Sequence, residues 1–333
     1  MANRFCACWK ITSNVPQQIN SPATLSEPVT PLPIATVSGF RLRVARFAVW
    51  VALLLLCFHR PLMMLAGFAF HSELYSYLLL VPFISTHLIW MDRRELIFPQ
   101  HLNSAPAAVP VLLGFMVLAI GWLALRRGWT PPLQDFLAWL SSVFVLLLIG
   151  GFLLFFGCQA CRRVAFPLSF FVFLIPFPQY LEALFQGLLQ KGSADCAFIF
   201  FKLCGTPVLF EGTQFQLPGF SLQVAPECSG IHSSLVLFLT SLLAGHLLLK
   251  SPRNRAVLAV AVFPLALLRN AVRIAIIGEL CIHVSPDMIN SYIHKHGGPF
   301  FFVLSLVPLF LLLLFLRKFE TRNLSAAKPH AAS

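Results

Sequence analysis

Apolar residues run along this chain in long blocks rather than in short alternation. Crossing about 30 Å of hydrocarbon at about 1.5 Å per residue takes about 20 apolar positions. Eight stretches qualify: 45–66, 74–90, 107–125, 136–156, 164–177, 231–249, 256–276 and 299–316. The first contains His59, Arg60 and Pro61, so its outer end is loosely defined. The fifth is short, with prolines near its end. Between the fifth and sixth blocks the pattern changes. Tyr180 to Cys204 has the spacing of an amphipathic helix lying at a membrane surface. Thr206 to Ala225 alternates Val, Leu, Phe and Gln around Pro218 and Gly219, which predicts a short β-hairpin. The expected fold class is an all-α polytopic membrane protein. It has about eight transmembrane helices and a small extracytoplasmic insertion of one helix plus a β-hairpin.

Composition supports this pattern. Of 333 residues, 58% are hydrophobic and 11% charged, where soluble proteins carry about a quarter charged. A water-soluble enzyme of ordinary composition and a disordered chain are both excluded. The net charge of +12 is read as Lys and Arg held on the cytoplasmic side, not as a nucleic-acid surface. Arg41, Arg43 and Arg46 precede the first span, and Arg93 and Arg94 follow the second. Arg162 and Arg163 precede the fifth, and Lys250, Arg253 and Arg255 follow the sixth. Arg317, Lys318 and Arg322 follow the eighth. With eight crossings all these clusters fall on one side; the opposite loops are poorer, though Arg126 and Arg127 dissent. Both termini are then cytoplasmic.

The chain divides accordingly. Residues 1–44 are expected to form a flexible cytoplasmic tail without a secretory signal pattern. Residues 45–177 form an N-terminal membrane bundle, and 178–230 an extracytoplasmic insertion. Residues 231–317 form a C-terminal membrane bundle, and 318–333 a cytoplasmic tail. The nine Cys residues are dispersed and make no secreted disulfide framework.

Candidate chemistry gathers at the outer face. Pro226-Glu227-Cys228-Ser229-Gly230 lies where the insertion meets the sixth span. A thiol at a helix N-terminus is favoured as thiolate, and the same amides suit an oxyanion. The plain alternative is a small interfacial thiol. Arg269 and Arg273 sit four apart, on one helix face, with Asn270 between them. An intramembrane Arg faces a cavity or partner, or else snorkels to the interface. The last outer loop carries His294-Lys295-His296-Gly297-Gly298, a source of a general base. His232, one turn after Cys228, is a rival base. A nucleophile, a cation and a base at one depth suit acyl transfer. Cys228 with the two His residues also offers three soft metal ligands, though no further Cys or His follows at zinc spacing.

Three motifs in order carry a resemblance. Phe173-Leu174-Ile175-Pro176-Phe177-Pro178 leads to Pro226-Glu227-Cys228-Ser229-Gly230. Asn270-Ala271-Val272-Arg273-Ile274 and His294-Lys295-His296-Gly297-Gly298 follow. From about Tyr75 to Phe302 the chain resembles the exosortase/archaeosortase family of polytopic membrane cysteine proteases, proposed transpeptidases. The resemblance implies Cys228 as nucleophile, Arg273 as oxyanion stabiliser and His294 as general acid/base. Arg269, Asn270, His296 and His232 are then secondary candidates. It implies no metal and no cofactor. It also implies a bacterial cytoplasmic membrane location with an outward-facing site. The implied partners are exported proteins ending in a short motif, often of the Pro-Glu-Pro type, a hydrophobic helix and a basic tail. An acceptor nucleophile and membrane lipid complete the set, and nucleic acid does not enter it. One departure is Tyr75-Ser76-Tyr77-Leu78, where many members have Tyr-Ser-His-Gly. The rival class is a polytopic transporter of small molecules or lipids, which needs no Cys at position 228.

The charge pattern makes topology testable. Reporter fusions after Arg94, Arg163, Arg255 and Arg317 should read cytoplasmic, and one near Lys202 external. A cytoplasmic reading at Lys202 would put Cys228 in the wrong compartment.

Overall fold

A computed structural model describes residues 34–92, 105–225, 229–285 and 298–327. The chain divides into two units, 1–41 and 42–333. Of the first, only the opening turns of a helix are described; the second carries every other described element.

Long apolar runs form helices, since every backbone group must be satisfied internally in lipid, and α-helix continues even through Pro110, Pro264 and Pro308. The helices are α1 (Ile34–Cys57), α2 (His59–His71), α3 (Val81–Asp92), α4 (Ala105–Arg126) and α5 (Leu133–Arg163). Then come α6 (Ala165–Phe170), α7 (Gln179–Leu203), α8 (Ile231–Leu248), α9 (Pro252–His283) and α10 (Gly298–Ala327). Five of these, α4, α5, α8, α9 and α10, are long and apolar enough to cross a membrane alone. Two bent pairs raise the total to as many as seven among the described residues.

The bends fall where breakers interrupt the apolar pattern. The expected span 45–66 is not one rod: α1 and α2 meet at 71° around Phe58, beside His59, Arg60 and Pro61. Likewise 164–177 becomes α6 and a 3₁₀ turn, Phe171–Leu174, followed by a 96° bend into α7. Pro176 and Pro178 stand in that bend, lacking N–H groups and fixing φ. The stretch 74–90 is a 3₁₀ turn, Ser76–Leu79, followed by the 12-residue α3. α9 begins at Pro252, one turn before the expected start, with its Pro in the first turn where no N–H is missed.

The insertion follows its pattern with one strand more than expected. α7 matches the predicted amphipathic helix to within a residue at each end. After it, β1 (Leu209–Glu211), β2 (Gln214–Leu217) and β3 (Phe220–Gln223) form an antiparallel meander in that order. Pro218 and Gly219 make the second turn, with Gly219 at φ 89°. The period-2 pattern buries Phe215, Leu217 and Leu222 and exposes Gln214, Gln216 and Gln223. These apolar residues close on Ala194, Ala197 and Phe201 of α7 and Ala271 and Ile274 of α9. The small layer thereby fixes the end of β3 against the middle of α9.

Close helix approaches need glycines. A Cβ on Gly151 would meet Trp50 Nε1 at 2.2 Å, the same atom that donates to the Leu147 carbonyl at 3.1 Å. Gly151→Ala should therefore destabilise by about 1–3 kcal/mol, read as a lowered thermal midpoint in detergent. Gly67→Ala, with nothing within 4 Å, should be neutral or slightly stabilising. Equal effects would mean that α1 does not seat against α5 through Trp50.

Candidate functional site

The chain leaves β3 at Gln223 and enters α8 at Ile231. Cys228 falls in this short interval. Cys228, with Pro226 and Glu227, and likewise His294 and His296, lie outside the described residues. The surroundings of the interval are described, and they converge on one stretch of α9.

On the downstream flank, Gly230 caps α8 in the left-handed region at φ 72°, a conformation that costs an L side chain about 1–2 kcal/mol. Its carbonyl receives Ser234 Oγ at 2.7 Å and Arg269 Nη2 at 3.1 Å. The same Nη2 reaches Ser234 Oγ at 3.3 Å. Arg269 is only 9% exposed and Asn270 2%. At about 1.5 Å per residue Arg269 lies about 26 Å from the start of α9, deep along the span. Burial excludes snorkelling for this residue. Its Nη1 and the neighbouring Ser229 Oγ are buried without a hydrogen-bond partner among the described residues.

On the upstream flank, Gln190 of α7 donates to the Val224 carbonyl, and Val224 N–H donates to Thr213 at 2.9 Å. Val224 and Gln223 then share a narrow cavity of about 30 Å³ with Asn270, Arg273 and Ile274. Arg273 is half-buried at its wall. Gly230 is thus bonded to Arg269, and Val224 packs in one apolar cluster with Ala271 and Ile274 of the same stretch of α9. His232 stands in the first turn of α8, its Nδ1 buried without a partner among the described residues. No group of three His, Cys, Asp or Glu suited to a metal ion occurs among the described residues.

Two polar clusters near this end were not singled out from sequence. Tyr75 Oη donates to Glu182 at 2.8 Å, and Gln134 Nε2 donates to Tyr75 Oη at 2.9 Å and to the Phe177 carbonyl at 2.7 Å. Asp135 accepts the Gln179 N–H at 2.8 Å, capping α7 from a different helix. Together they fasten the start of α5 to the α6–α7 bend. The signal was present as Gln134-Asp135 opening an otherwise apolar run. Further along α9, Glu279 accepts Thr206 Oγ1 and pairs with His283 at 3.2 Å. This bond holds the entrance of the meander.

The architecture defines a polytopic integral membrane protein whose polar groups cluster where a β-meander meets two helices. The model of the transmembrane exosortase family matches residues 69–311, well over half of the chain. The chain belongs to that family. No curated protein and no solved structure matches it significantly.

Gly230→Ala separates backbone strain from the arginine contact. A Cβ there would meet Arg269 Nη2 at 2.8 Å, whereas Gly128, at φ 92°, has nothing within 4 Å. Gly230→Ala should lower the thermal midpoint of the purified protein well beyond Gly128→Ala. Equal shifts would show that Arg269 does not brace the start of α8.

Proposed function

We propose that this exosortase is a cysteine-type peptidase or transpeptidase that cleaves C-terminal sorting signals of exported proteins through a thioester. Exosortases act on exported proteins bearing such signals, and family membership does not favour a transporter. The observation that supports the reading is that both flanks of Cys228 meet the stretch of α9 carrying Arg269, Asn270 and Arg273, Gly230 by a hydrogen bond and Val224 by packing. Cys228 is the nucleophile, at the entry to α8. Its thiolate attacks the scissile carbonyl carbon, and the carbonyl oxygen takes the negative charge. Arg273, half-buried at the cavity wall, supplies a fixed charge with several donors to that oxyanion. His294 takes the thiol proton and delivers it to the leaving amine. Water or an acceptor amine then resolves the thioester and restores the thiol. Arg269 supports this set from behind, through the Gly230 carbonyl. The site faces outward from a bacterial cytoplasmic membrane and uses no metal; both termini lie inside when α3 with its 3₁₀ turn makes an eighth crossing. The substrate's own hydrophobic helix docks beside the bundle and sets the depth of its cleavage motif.

Cargo processing in cells, with expression checked by immunoblot, tests these roles. Cys228→Ala should abolish processing while the protein stays inserted. Arg273→Lys should lose much of the activity, and Arg269→Lys less. His294→Ala should slow formation of the acyl-enzyme, with His296→Ala milder. Chelation should have no effect; loss on chelation would instead favour a metal held by Cys228 and the two His residues. Full processing by Cys228→Ala would rule out the thioester and reopen the transporter class.

A further inference from the structure

At the ends of α8 and α9 away from Gly230 and Arg273 lies a second cavity, of about 410 Å³. His246, Lys250, Arg255, Arg317 and Glu320 contribute to its lining. Its frame is held by specific bonds. Glu320 of α10 accepts the N–H of Lys250 at 3.0 Å, the N–H of Ser251 at 2.9 Å and Asn254 Nδ2 at 2.8 Å. These bonds lash the α8–α9 turn to α10. Arg255 Nε donates to the Leu249 carbonyl at 2.8 Å and Nη2 to that of His246 at 3.4 Å. Its guanidinium is therefore fixed at the wall instead of moving freely in water. The His246 ring stacks on Phe166 at 3.9 Å, closing the side toward α6.

Charge in this cavity is unbalanced. Among the described residues, Lys250, Arg255 and Arg317 share the lining with one carboxylate, Glu320, which already accepts bonds from three donors, and Asp92 acts on His246 from outside the lining. Basic residues at a span end are ordinary. A framed volume within the range of small-molecule sites, about 300–1,000 Å³, is not explained by that rule. The lining also includes Leu247 and Leu248, both exposed apolar side chains, so the cavity borders a surface suited to acyl chains.

We propose that this cavity binds a phosphate-bearing anion, either the head group of an anionic phospholipid or free phosphate. Guanidinium and ammonium groups make short, charge-assisted bonds to phosphate oxygens. Basic pockets between membrane helices hold lipid head groups in the same way. The site is separate from the one proposed for peptide cleavage and does not depend on it.

The test uses the full chain, purified in a neutral detergent. Binding of phosphatidylglycerol, of diacylglycerol and of inorganic phosphate is measured by native mass spectrometry and by the shift in thermal midpoint. Phosphatidylglycerol or inorganic phosphate should bind, and diacylglycerol should not. The two ligands distinguish a lipid source from a soluble one. Lys250→Gln with Arg317→Gln should weaken binding at least about tenfold, while Arg126→Gln with Arg127→Gln leaves it unchanged. Thr321→Glu, an exposed position at the same cavity, should weaken binding without touching a framing bond to Glu320. Failure of both phosphate-bearing ligands to bind, equal binding of diacylglycerol, or undiminished binding by both cavity variants would overturn the proposal.

Discussion

A guanidinium sealed into an apolar bundle is the constraint around which the C-terminal half is arranged. A charge at the depth of Arg269 is tolerated only with polar partners, because lipid provides none. The structure supplies them from the least regular backbone nearby: a left-handed glycine and the carbonyl it presents. That carbonyl can point at α9 because Gly230 turns the chain as it enters α8. The arginine and the turn therefore explain each other. An apolar side chain at 269 would leave the carbonyl one donor poorer, and a substituted residue at 230 would displace the guanidinium.

The meander serves the same arrangement from the other direction. Three short strands have too little area to fold alone, and an isolated hairpin is marginal in water. They persist because Phe215, Leu217 and Leu222 bury against two helices already held in place. The benefit returned is positional. β3 ends beside Asn270 and Arg273, so the chain reaches the start of α8 within a few residues. The Gln190 side-chain amide and the Thr213 carbonyl fix that end by bonding the carbonyl and the N–H of Val224.

Much of this was legible from pattern. The long spans, the amphipathic α7 and the strand alternation follow from periodicity alone. The bends were signalled by breakers, at His59-Arg60-Pro61 and at Pro176 and Pro178, but their angles were not. Sequence marks where a helix cannot continue, whereas its new direction is set by what it packs against. The third strand was missed because β1 is short and only partly buried, leaving little alternation to read. Arg269 and Arg273 were recognised as a pair on one face with unequal roles, yet the physical difference was not legible: one is sealed beneath Gly230, the other stands at a cavity wall. That difference depends on a tertiary neighbour 39 residues away in sequence, which no local window contains. The Tyr75–Gln134–Glu182 cluster escaped for the same reason, since its members come from three separate elements.

Two of the apolar helices differ sharply in length. The 22 residues of α4 rise about 33 Å, and the 12 residues of α3 about 18 Å. Yet α3 still presents Phe83, Trp90 and Met91 outward. Lipid beside α4 meets a match to its own thickness, whereas α3 by itself is too short to cross that thickness. An apolar segment packed along α4 would be covered over its full height, and one packed along α3 alone over about half of it.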